Sequence, residues 1–244
     1  MTTADIAAKN RAQTFRLRPP SSSLSLLEAR APLECASLLA TLPGLMTLPR
    51  GDGRDVVVIP GFGANDASTW PLRAFLNALG YNAQASELGY IDDPEAAGQE
   101  LLQRLLSSQS GRKYTLIGWS LGGVVARVVA NEQPDLVQEI ITLGTPVEGG
   151  PKYTRVGDVY AQLKGIDLNA FEEHVHQVNQ QGIQAPITVI YSRSDAVVAW
   201  RAAIDRYNPH ARHLQVESSH IGLGVNPLVY RLIAKTLAGQ SIAA

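Results

Sequence analysis

Three residues set the chemistry open to this chain: Ser120 in Gly118-Trp119-Ser120-Leu121-Gly122, Asp195 in Ser192-Arg193-Ser194-Asp195, and His220 in Ser218-Ser219-His220-Ile221-Gly222. A serine hydroxyl is a weak nucleophile until a base removes its proton, and the base in turn needs a carboxylate to orient it. Serine, acid and histidine in that order along the chain point to attack on an acyl carbon. The glycines beside Ser120 strengthen the reading. A nucleophile at the apex of a tight strand-to-helix turn leaves no room for a Cβ on either flank, and Gly123 extends the clearance. Helix capping, the plainer role of a serine at such a position, does not need glycine on both sides.

Asp195 directly follows the apolar run ending at Tyr191, which puts it at the carboxyl edge of a sheet, where sites of this kind assemble. Glu148 is its rival, since it follows the preceding strand, whereas Asp205 and Glu217 lie in less favourable positions. Of the five histidines, His220 alone follows a late strand and precedes the last helix; His174, His176, His210 and His213 read as surface or core residues. No metal site is expected. His174 and His176 are two apart and do not share a helical face, and His210 and His213 have no carboxylate-and-cysteine cluster beside them. The Leu121 N–H, at the start of a helix, is a natural oxyanion donor. A second is expected from the Phe62 N–H, in the glycine-rich loop Pro60-Gly61-Phe62-Gly63.

These residues need a scaffold that repeats strand, loop and helix. Val56-Val57-Val58-Ile59 is an unbroken β-branched run, as expected of a strand buried on both faces. Ser68, Thr69 and Pro71 open a helix carrying Leu72, Phe75, Leu76 and Leu79, and Gly80 stops it. Tyr81 to Leu88 is a weaker strand; Asp93-Pro94 caps a helix with Leu101, Leu102, Leu105 and Leu106; Tyr114 to Ile117 is a strand again. The helix after Ser120 puts Leu121, Val124, Val125, Val128 and Val129 on one stripe that packs on the sheet. Ile140 to Leu143, Ile187 to Tyr191 and Leu214 to Val216 are further strands, and Asn226-Pro227 starts a final helix. Such alternation predicts an α/β fold, a mostly parallel sheet with helices on both faces. Residues 1–50 read as a leader and a helix packing on the core, and residues 51–244 as the main domain. No buried strand is evident in about 148–184, which reads as a small helical cap insertion.

Composition is that of an ordinary globular chain, with 45% hydrophobic and 18% charged residues over 244 positions. A net charge of -1 gives no field that would favour nucleic acid. The single cysteine, Cys35, sits in the apolar stretch Leu33 to Leu39 and is expected to be buried. Met1 to Arg18 carries Lys9, Arg11, Arg16 and Arg18 without a continuous apolar core, so no secretory signal is read and a cytoplasmic location is expected. No run approaches the roughly 20 apolar residues of a membrane span.

With the loop around Phe62, the turn around Ser120, the strand-end Asp195 and the late His220 in place, the chain resembles the α/β-hydrolase superfamily from about Asp55 onward. More narrowly it resembles the small esterases and lipases. Leu143-Gly144-Thr145-Pro146 followed by Gly149-Gly150-Pro151 also looks lipase-like, while Pro60 departs from the histidine that many lipases carry before the loop glycine. The resemblance implies Ser120 as nucleophile, His220 as general base and then acid, Asp195 as orienting acid, and the Phe62 and Leu121 backbones as the oxyanion hole. It implies cleavage of a small-molecule or lipid acyl ester through an acyl-enzyme, with no cofactor. Acyl transfer and thioester hydrolysis by the same groups remain the alternatives, beside a non-catalytic binding module of the same fold. Trp119, Phe62, Val159 and Leu163 are candidates to line an acyl pocket, and the oligomeric state is left open.

Overall fold

The protein is described by a computed structural model covering residues 17–108 and 111–240. Residues 1–16, with Lys9, Arg11 and Arg16 of the expected leader, lie outside the described residues, as do residues 109–110 and 241–244.

Six strands form one sheet: β1 (Asp55–Ile59), β2 (Asn82–Ala85), β3 (Tyr114–Trp119), β4 (Val137–Leu143), β5 (Ile187–Ser192) and β6 (Arg212–Val216). Their order is β2-β1-β3-β4-β5-β6 and every pairing is parallel. The seven α-helices among the described residues are α1 (Ala31–Leu45), α2 (Trp70–Leu79), α3 (Pro94–Ser107), α4 (Leu121–Glu132), α5 (Gly157–Lys164), α6 (Leu168–Asn179) and α7 (Pro227–Leu237).

Because successive strand side chains point to opposite faces, β1 feeds two cores. Val56 and Val58 pack with Leu38 and Leu45 of α1, Phe75 and Leu79 of α2, and Tyr230 and Ile233 of α7. Val57 and Ile59 pack on the other face with Leu101 and Leu105 of α3 and Val125 and Val129 of α4. Strands of this kind must be unbroken apolar runs rather than alternating ones. The chain leaves β1 toward β2 on one side and returns as β3 on the other, so the order reverses between β1 and β3. At such a switch point the carboxyl ends of neighbouring strands diverge and leave a crevice.

The helix starts follow local chemistry. Asp93 accepts the N–H groups of Glu95 (3.0 Å) and Ala96 (3.1 Å) at α3. Asn226 accepts that of Leu228 (2.8 Å) at α7, and Pro94 and Pro227 fill first positions where no N–H is needed. The start expected at Ser68-Thr69 lies earlier: Asn65 caps a 3₁₀ turn, Asp66–Thr69, that runs directly into α2.

Two features of the N-terminal part differ from expectation. Ser22–Arg30 is a 3₁₀ helix continuous with α1. Cys35 is exposed, because α1 turns Glu34, Leu38 and Leu45 inward and leaves Cys35 on the opposite side with Leu33 and Leu39. An apolar run does not fix which of its members faces the core when the helix carries a buried acid.

Candidate active site

Ser120 stands between β3 and α4 with φ 54° and ψ -120°, one of two non-glycine residues with positive φ among the described residues. Such a conformation costs on the order of 1–3 kcal/mol and persists only where the surroundings impose it. Here the Ser120 N–H donates to the Leu143 carbonyl (2.8 Å), and the Ser120 carbonyl accepts from the Thr145 hydroxyl (2.9 Å) and the Gly123 N–H (3.0 Å). The flanking glycines make the turn possible. A Cβ on Gly118 would stand 2.3 Å from Gly123 Cα, and one on Gly122 would stand 2.3 Å from the Ile59 carbonyl oxygen.

The loop after β1 lies directly against this turn, with the position of a Cβ on Gly61 only 3.1 Å from Ser120 Cβ. Among the described residues, none accepts a hydrogen bond from the Phe62 or the Leu121 N–H. Phe62 follows Gly61 on the loop after β1, and Leu121 is the first residue of α4, directly after Ser120.

Asp195 and His220 meet from the ends of β5 and β6. His220 Nδ1 is 2.7 Å from Asp195 Oδ2, and the side chains are 8% and 2% exposed, so water does not compete for the contact. The other carboxylate oxygen, Oδ1, accepts the N–H groups of Val197 (2.8 Å) and Val198 (2.7 Å), which fixes the plane of the acid. Burial opposes charge on His220, but the Asp195 carboxylate, its hydrogen bond and, after them, the Glu28 carboxylate outweigh it and raise the imidazole above the ordinary histidine value. The Ser192 hydroxyl joins the two loops by donating to the Ser218 carbonyl (2.6 Å) while accepting the Ser218 N–H (3.1 Å). On the other side, the Trp119 indole N–H donates to the His220 carbonyl (3.2 Å), tying the end of β3 to the histidine loop.

The other acids and histidines are engaged elsewhere. Glu148 pairs with Arg206 (2.6 Å), and burial raises its pKa against the pull of that guanidinium. Asp205 forms a buried pair with Arg127 (2.6 Å), and Glu217 accepts from the Ser194 hydroxyl (2.9 Å). His174 contacts Glu95 (2.5 Å), His176 the Tyr207 hydroxyl (3.0 Å) and His210 the Ala185 carbonyl (3.2 Å). His213 accepts the Asp205 N–H (3.0 Å), and burial lowers its pKa. Among the described residues no group of three His, Cys, Asp or Glu could hold a metal ion.

Ser120, Leu121 and Phe62 open onto a cleft whose empty space, counting its mouth, is about 890 Å³. Its walls are mainly apolar. α4 supplies Val124 and Val128, and the segment between β4 and β5 supplies Tyr160, Phe171, Val175 and Val178. Tyr160 packs edge-on against Phe62, with ring centroids 5.6 Å apart. Of the residues read as pocket candidates, only Phe62 lines this cleft. Trp119 packs against the core beside α1, α2 and α7, and Val159 and Leu163 are 54% and 71% exposed. On so short a helix as α5, Tyr160 takes the inward position and its neighbours face out. Nothing in the sequence marks Glu28 and Glu34, whose carboxylates accept backbone N–H groups around His220.

The chain matches the family of the PGAP1-like alpha/beta domain over residues 97–222, just over half its length and a span holding Ser120, Asp195 and His220. It is 30% identical over 172 residues to a pimeloyl-[acyl-carrier protein] methyl ester esterase of Vibrio cholerae, covering 67% of this chain and 65% of that one. With the enzyme of the same name from Aliivibrio salmonicida it shares 34% identity over 138 residues, or 52% of this chain and 48% of that one. The matched part thus spans from about half to just under two thirds of these relatives' length. Among solved structures, one reported for the metagenome-derived lipolytic enzymes LipS and LipT superposes with a TM-score of 0.61 at 14% identity, over 79% of this chain and 96% of that one. The chain belongs to the PGAP1-like alpha/beta domain family and has the α/β-hydrolase fold.

Proposed function

We propose that this protein is a serine hydrolase that cleaves carboxylic esters through an acyl-enzyme on Ser120. The observation that carries the reading is the buried 2.7 Å contact between His220 Nδ1 and Asp195, on loops that the Trp119 indole ties to the residue before Ser120, which itself lines an apolar cleft. With Nδ1–H donated to Asp195, Nε2 is the nitrogen left to accept the serine proton. Ser120 Oγ attacks the ester carbonyl as that proton moves to His220, and the Phe62 and Leu121 N–H groups take the developing oxyanion. The tetrahedral intermediate collapses, the C–O bond to the alcohol breaks, and His220 returns its proton to the leaving oxygen. Water, deprotonated by His220, then attacks the acyl-enzyme and regenerates the serine.

Esters are the substrate class carried over, since the curated relatives are named methyl ester esterases. The apolar walls supplied by α4 and by residues 148–184, which we read as a cap, suit a hydrocarbon acyl group. Fluorophosphonate labelling tests the nucleophile: the wild-type chain should label and Ser120→Ala should not. A panel of p-nitrophenyl esters of increasing length, run beside a thioester and an amide, tests the substrate class. The esters should turn over fastest, with chains beyond acetate preferred. Turnover confined to the amide, or labelling that survives Ser120→Ala, rejects the reading.

A further inference from the structure

The loops that carry Asp195 and His220 are held by a third part of the chain. Glu28, near the end of the 3₁₀ helix Ser22–Arg30, turns its carboxylate into the gap between them. Oε1 accepts the N–H groups of both Ala196 (3.1 Å) and His220 (2.9 Å), and Oε2 accepts that of Ile221 (3.0 Å). Glu34, buried in the first turn of α1, takes the next residue back: it accepts the Ser219 hydroxyl (2.7 Å) and N–H (3.2 Å) and the Asn226 amide (3.2 Å). The histidine loop is shaped to admit it, because a Cβ on Gly222 would fall 1.7 Å from Glu34 Oε2. Bonds from backbone N–H groups to a carboxylate are charge-assisted and roughly twice as strong as neutral ones.

We infer that Glu28 is a positioning residue of the site, its single carboxylate joining the residue after Asp195 to His220 itself and so fixing the acid and histidine loops against each other. The inference rests on the reading of Ser120, His220 and Asp195 as the reacting groups. A merely structural latch would need only acceptor oxygens, whereas Glu28 also brings a second negative charge beside the imidazole. The acids that act on His220 are Asp195, from the loop after β5, and Glu28, from the N-terminal segment; Glu34 bonds the preceding Ser219, and the Glu217 carboxylate accepts from the Ser194 hydroxyl. Burial lowers the basicity of His220, and Asp195 and then Glu28 are the acids that raise it.

Two variants separate charge from support. Glu28→Gln keeps the size and one acceptor oxygen but removes the charge; Glu28→Ala removes both. In Glu28→Gln the acid limb of kcat/KM and the NMR titration of the His220 imidazole should both move to lower pH, by a few tenths of a unit. In Glu28→Ala, kcat should fall on the order of tenfold with KM within about twofold, as for a group that orients without touching substrate. Wild-type kcat, pH profile and imidazole titration in both variants overturn the inference. So does a loss of kcat that only tracks loss of folded protein by circular dichroism while the titration stays put. The NMR reading needs no substrate. A wild-type chain that fluorophosphonate leaves unlabelled, with a titration that still shifts in Glu28→Gln, would reject the hydrolase reading and leave Glu28 as a determinant of His220 basicity.

Discussion

The turn around Ser120 and the paired loops of Asp195 and His220 reach the same end of the sheet by opposite means. What permits the turn is local, glycines within two residues of Ser120, the strand before it and the helix after it, and its remote supports, Leu143 and Thr145, come from the neighbouring strand and the loop that follows it. The loops depend on distance. Asp195 and His220 are 25 residues apart, and the carboxylate that joins their backbones lies 168 residues before Ala196 and 192 before His220. A locally encoded element is fixed as soon as its strand and helix pack. One assembled from remote parts is only as well placed as its weakest tether. Variants should therefore fail differently in the two regions, the turn all at once and the loops by degrees.

The largest expected effect is at Ser120, the proposed nucleophile. Ser120→Ala should lower ester hydrolysis by about 10⁴-fold or more while the circular dichroism spectrum stays unchanged, because losing the nucleophile of a triad leaves only binding and the oxyanion donors. Next is Asp195→Asn, expected to cost on the order of 10³–10⁴ in kcat by favouring the wrong imidazole tautomer. It should also change the pH profile. The base must be neutral to act, so activity in the wild-type chain appears as pH rises through the elevated His220 pKa. Removing the Asp195 charge leaves burial to dominate, and the acid limb should move to lower pH. A limb that moves upward, or not at all, would separate Asp195 from His220.

Gly122→Ala probes the turn by sterics alone. Its Cβ would meet carbonyl oxygens of Ile59 at 2.3 Å and Pro60 at 2.5 Å, backbone atoms of β1 and of the loop that follows it. Overpacking of this kind costs typically 1–3 kcal/mol, or more when backbone must move. Because the strain falls on the Ser120 turn and the Phe62 loop together, stability in urea and the labelling rate should fall in one variant. Full labelling with full stability would mean that the turn is looser than its contacts imply.

The same contrast explains what the sequence discloses. The strands are legible because Val56–Ile59, Ile140–Leu143 and Ile187–Tyr191 are short apolar runs with no other economical use, and the order of Asp195 and His220 follows from where those strands end. Glu28 and Glu34 are not legible. They act through backbone N–H groups, which every residue carries, so nothing at positions 196 or 219–221 marks the partner. Cys35 misleads for a related reason: its helix faces inward through Glu34, and an apolar neighbourhood in sequence became the solvent side in space. On α4 the apolar stripe is legible but its division is not. Val125 and Val129 enter the core, whereas Val124 and Val128, one position earlier in each turn, face the cleft.

That division supplies the smallest and most selective prediction. Val124 lies in the first turn of α4, close to Ser120 in sequence, and its side chain forms cleft wall rather than core. In Val124→Phe the added ring has open cleft to enter, so the fold should be retained and the labelling of Ser120 by a small fluorophosphonate should change little. Acyl chains long enough to pass the new ring should lose contact with the wall, costing about 1 kcal/mol, or roughly fivefold in KM for the longest p-nitrophenyl esters. The acetate ester, too short to reach, should be nearly unaffected. An equal loss at every chain length would mean that the variant disturbs the turn and not the cleft. An unchanged chain-length profile would mean that the acyl group lies elsewhere, and the apolar space between α4 and α6 would need another occupant.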